Sequence, residues 1–171
     1  MGRERHGKLA ALCAVAALGV QSEPRAAATE ATLVRIERPI LGEAALLSLR
    51  PDDQGIDPRA SQQLEELMRD RVTGESTQPD PELLRLLAEL GEAFPGRTVT
   101  IVHGYADPER ELPATSHAEG RALDLRIAGV GCEEVRGRLS QRPRVLARVG
   151  CIAGASFFHV DVGRRRGGSD E

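Results

Sequence analysis

The chain predicts an α+β fold in which helices pack on a central antiparallel sheet and a metal site occupies one face of that sheet. Three observations lead there. Two segments of the first half carry apolar residues at helical spacing, while segments from Thr98 onward are β-branched or alternate in polarity. Histidines and aspartates then fall at alternate positions of the later strands, so that they project from one face. The chain shows no internal repeat and no second domain.

Arg3, Arg5 and Lys8 form a basic start, Leu9 to Val20 is apolar without a charge, and Ala26-Ala27-Ala28 follows. That is the layout of a secretory signal, residues 1–28, whose apolar run is too short to cross a bilayer; a retained anchor is the alternative. The mature chain is then expected in the periplasm or outside the cell, with no membrane span. It has one domain over 29–163 and a basic-acidic flexible tail over 164–171. Leu33 to Leu49 reads as a hairpin or two short strands around Pro39 and Gly42. Asp57-Pro58 opens a helix, an N-cap followed by proline, with Leu64, Leu67, Met68 and Val72 as its stripe. After the polar loop Thr73 to Pro79, Asp80-Pro81 opens a second helix. Its stripe is Leu83, Leu86, Leu87, Leu90 and Phe94, until Pro95-Gly96 ends it. Thr98 to Tyr105 reads as a strand, and Ala106 to Glu119 as a long polar connection of the kind that carries sites. Arg121 to Ile127 alternates. Cys132 to Leu139 is a helix candidate, and Arg148 to Ile152 and Phe157 to Val162 are the last strands.

Composition narrows the function. The 171 residues carry a net charge of −3, with three Phe, one Tyr and no Trp, which gives no electrostatic case for nucleic acid. Cys13 leaves with the signal. Cys132 and Cys151 remain, and two thiols in an oxidising compartment are expected to pair; two buried unpaired cysteines are the alternative.

The chemistry concentrates in SHAEGRALDL (Ser116 to Leu125) and FFHVDVG (Phe157 to Gly163). Alternation sends Phe157, His159 and Asp161 to one side of a strand and Phe158, Val160 and Val162 to the other. Asp124 sits in mid-strand, where an unpaired carboxylate is expensive to bury and a metal ion removes that expense. Gly120 permits the tight turn that folds His117 back over it. Two imidazoles and one carboxylate suit Zn2+, one per chain, and leave a fourth position open for water. Asp161 is the candidate base; orienting a ligand or closing a salt bridge is the alternative role for it. His103 reads as a capping or packing residue at a strand end, or else as a substitute electrophile. HExxH is absent, which excludes the helix-borne zinc protease design.

TSHAEGRALDL is similar to the Ser-x-His-x-x-Gly-x-Ala-x-Asp pattern of M15-type zinc peptidases, the D-alanyl-D-alanine carboxypeptidase and murein endopeptidase group. It comes close to a variant in a periplasmic branch once known only as a domain of unknown function. Leu67 to Leu87 and FFHVDVG also resemble that branch, so the likeness runs from Leu33 to Gly163. The resemblance implies zinc on His117, Asp124 and His159, with Asp161 as the acidic residue after the last ligand. It implies peptidoglycan stem peptides or cross-links as substrate, and hence a zinc metallopeptidase. Two departures favour an alternative, a catalytically weak zinc-stabilised module that binds cell-wall peptide or a protein partner. The family arginine after Gly-Tyr is replaced by Ala106, with Arg110 or Arg121 as candidate substitutes, and Gly150 to Gly154 replaces an aromatic wall.

Overall fold

A computed structural model describes residues 30–50, 57–108, 116–141 and 145–163. The expected signal (1–28), the expected tail (164–171) and Arg110 lie outside the described residues. β1 (Thr32–Arg38) and β2 (Glu43–Leu49) form an antiparallel hairpin, closed by a 3-10 turn over Pro39–Leu41. α1 (Pro58–Met68) and α2 (Pro81–Ala93) start where the Asp-Pro pairs stand. The Asp57 and Asp80 carboxylates accept from the backbone N–H of Arg59 and Glu82, which satisfies donors that a helix start leaves unpaired. Val72 lies beyond the end of α1 and is exposed, so the first stripe stops at Met68.

β3 (Val99–His103), β4 (Ala122–Ile127), α3 (Cys132–Ser140), β5 (Ala147–Cys151) and β6 (Phe158–Val162) complete the described elements. The six strands form one sheet in the order β2-β1-β3-β4-β6-β5. The sheet is mixed rather than antiparallel throughout, because β1 and β3 run parallel while every other pair is antiparallel. Two helices intervene between the hairpin and β3. They make a connection long enough to carry the chain back across the sheet and lay β3 beside β1 in the same direction.

Alternation assigns the core. Val34, Ile36, Leu123, Leu125, Phe158, Val160 and Val162 join the α2 leucines, Leu64 of α1 and Val135 of α3 in one buried cluster. The outward residues Leu33 and Leu46 of the hairpin are exposed. Arg38 ends the inward row of β1 and is buried. Its Nη1 donates to the carbonyls of Leu67 (2.5 Å) and Arg69 (2.8 Å), pinning the last turn of α1, where a cation also suits the helix dipole. Cys132 at the start of α3 and Cys151 at the end of β5 are joined, with their Cα atoms 5.7 Å apart. The bridge fastens that helix to the sheet edge. Among the described residues, no helix is long and apolar enough to cross a membrane.

Candidate metal centre

His103 of β3, Asp124 of β4, His159 of β6 and Gly150 of β5 are successive cross-strand partners on one line across the sheet. Partners of this kind stand on the same face with side chains in reach of one another. Strict alternation from Ile101, which pairs with Leu125, would have set Val102 opposite Asp124 and turned His103 toward the core. Instead the register shifts between Ile101 and His103. Val102 becomes the extra, exposed residue of a bulge and His103 comes opposite Asp124.

His117 arrives from the turn before β4. Gly120 has φ +66°, and a Cβ there would come within 2.5 Å of the Gln78 carbonyl, so the turn requires glycine. The Gly120 carbonyl accepts from Asp80 N–H (2.9 Å), which ties the turn to the start of α2. The ring of His117 is oriented from below. Its Nδ1 donates to the Gly104 carbonyl at 2.7 Å, and since a carbonyl only accepts, Nδ1 carries the hydrogen and Nε2 faces inward. Gly104 is itself wedged against α1, where an added Cβ would lie 2.3 Å from the Met68 carbonyl. That carbonyl accepts from Tyr105 N–H at 2.7 Å.

Three donor atoms converge. His117 Nε2 lies 3.3 Å from His159 Nδ1 and 3.6 Å from Asp124 Oδ1, and His159 Nδ1 lies 2.9 Å from the same Asp124 oxygen. A tetrahedral zinc with bonds of about 2.0–2.1 Å sets its donors about 3.3 Å apart, so the triangle has the right size. His103 borders it: its Nδ1 is 3.8 Å from Asp124 Oδ2, and its ring stacks on His117 with centroids 4.9 Å apart. His103, His117 and Asp124 each present a donor atom within 4.8 Å of the others and could together hold a metal ion. Burial alone would push the Asp124 carboxyl up, but the facing imidazoles of His117 and His159 outweigh it and hold the group well below the usual carboxylate range. His159 is raised, first by its hydrogen bond to Asp124 and against the opposing effect of burial.

Asp161 is buried, and both its oxygens are engaged. Oδ1 accepts from Arg148 Nε (2.8 Å) and Nη2 (2.6 Å), and Oδ2 lies 3.5 Å from His159 Nε2, on the far side of that ring from Asp124. Asp161 thus stands between the Arg148 guanidinium and the outer nitrogen of His159. Arg121 is also committed. It holds Glu119 (2.7 and 2.5 Å) and the Val162 carbonyl (3.0 Å), which closes the turn below the centre. Ala106 is 1% exposed, leaving no room for the arginine found there in the resembling family.

Sequence reasoning set Arg148 in a strand without a role at the site, and read His103 first as a capping or packing residue, with a substitute electrophile as the alternative. Folding the last two strands about their turn would have set Arg148 opposite Asp161, because Cys151 pairs with Phe158. Comparison with known proteins found no matching family model, no matching curated protein and no matching solved structure.

Proposed function

We propose that the protein is a zinc-dependent peptidase acting on the stem peptides or cross-links of peptidoglycan in an extracytoplasmic compartment. The observation that supports this most is the convergence of His117 Nε2, Asp124 Oδ1 and His159 Nδ1, with the outer nitrogens of both rings turned to a carbonyl and a carboxylate. Outer partners of this sort fix the tautomer and aim the inner lone pair, as metal-ligating histidines require. Zinc would supply Lewis-acid activation of water and of a peptide carbonyl near neutral pH. The protein's own groups then have distinct tasks. His117, Asp124 and His159 hold the ion, while Asp161, braced by Arg148, is a positioning residue for His159. Gly150 presents no side chain beside His159.

The decisive experiment is a mass-spectrometric digest of purified sacculi with zinc-loaded protein. New muropeptides are expected, one zinc per chain, with both lost in His159→Ala. A metal-free preparation that cleaves equally well would sink the mechanism. The buried Ala106 favours a second reading, a zinc-stabilised module that binds cell-wall peptide without cutting it. Zinc-loaded wild type that retains sacculi and releases no fragment would select that reading.

A further inference from the structure

The bulge at Val102 has a direct chemical outcome: it moves an imidazole from the core side of β3 to the side of Asp124. A strand end that needed only a packing residue would keep its alternation, and the core side here is already filled by Val99 and Ile101. The diverted ring does not point away into solvent. It stacks on His117 at 29° and sets Nδ1 3.8 Å from Asp124 Oδ2, the carboxylate oxygen other than the one facing His117 Nε2 and His159 Nδ1. Its side chain is 36% exposed, against 8% for His117 and 15% for Asp124, so it is the outermost member of the group.

We propose that His103 is the fourth ligand of the centre, completing a three-histidine, one-aspartate set in the resting protein. The inference rests on the metal centre proposed above and deepens it. Three donors stand at zinc-sized separations and leave one tetrahedral position. His103 reaches the same carboxylate by its second oxygen at 3.8 Å, and its ring offers a donor atom within 4.8 Å of those of His117 and Asp124, a gap that a side-chain rotation narrows. The fourth position would then be closed at rest by the most exposed of the four groups, while the more buried His117, Asp124 and His159 would hold the ion.

The test uses the full exported chain, with zinc affinity from competition against a chromophoric chelator and the ligand field from cobalt substitution. His103→Ala is expected to bind zinc at least about tenfold more weakly than wild type, since even partners outside the ligand shell are worth that much. Its cobalt spectrum should change as a solvent oxygen replaces a nitrogen. His103→Asp, which restores a donor, should recover part of the affinity. Thermal melts of the metal-free proteins separate loss of a ligand from loss of fold; if His103→Ala does not fold, the cobalt spectrum of His103→Asp alone decides. Unaltered zinc affinity and cobalt spectrum in a folded His103 variant overturn the proposal and leave a three-ligand centre standing. Wild-type protein that takes up neither metal overturns both.

Discussion

In the proposed centre Arg148 would act through Asp161, and that makes it a selective probe. Its side chain is 72% exposed, so solvent screens its ion pair with Asp161 and the pair adds little to folding. Its effect on His159 is a matter of aim. Asp161→Asn is expected to weaken zinc binding about 10–100-fold, and Arg148→Met to act in the same direction by less, with one ion still bound at saturation. A chelator competition titration measures both, and equal affinities for all three proteins would remove the positioning role. At this scale the sequence is unevenly legible. The alternation of RALDLRI and FFHVDV puts Asp124, His159 and Asp161 on one face without help from coordinates. His103 is invisible to the same reasoning, because a single inserted residue reverses its side. Arg148 becomes visible only when its strand is paired to the next.

The helices are the most legible elements, since an aspartate-proline start and an apolar stripe are both local signals. The parallel contact between β1 and β3 is not local. It depends on where two intervening helices return the chain, and no period in the sequence records that. Cysteine pairing lies between these cases, as parity and compartment suggest the bond while the structure shows what it joins. Cys132 and Cys151 are 19 residues apart, and closing a loop of that size contributes about 3 kcal/mol in the chain-entropy model. Replacing both with serine should lower stability by about that amount in a denaturant titration. The metal-free protein should also lose protection from hydrogen exchange first along β5, the edge strand that the bridge holds. Uniform loss across the sheet would mean that α3 does not depend on the bridge for its attachment.

For the molecule as a whole, protons and the proposed metal would compete for the same atoms, and the two states should respond oppositely to pH. In the metal-free protein the raised His159 contributes stability that is complete below its ordinary value of 6.5 and is lost as pH rises through its folded value. The depressed Asp124 contributes above its ordinary 3.8 and fails only in strong acid. The metal-free protein should therefore soften between pH 6.5 and alkaline conditions. Zinc needs the neutral imidazole, so zinc-dependent stabilisation should grow over the same interval. Melts at pH 6 and pH 8.5, with zinc and with chelator, test the crossing; parallel slopes would disprove it. The line of partners from His103 through Asp124 to His159 bears also on time. Its donors come from strands that are remote in sequence, and none can meet until β3, β4 and β6 have paired. An ion captured only after that closure leaves the rate of folding untouched and slows escape from the native state. Zinc would then serve this protein as a latch, fastened after the door has shut.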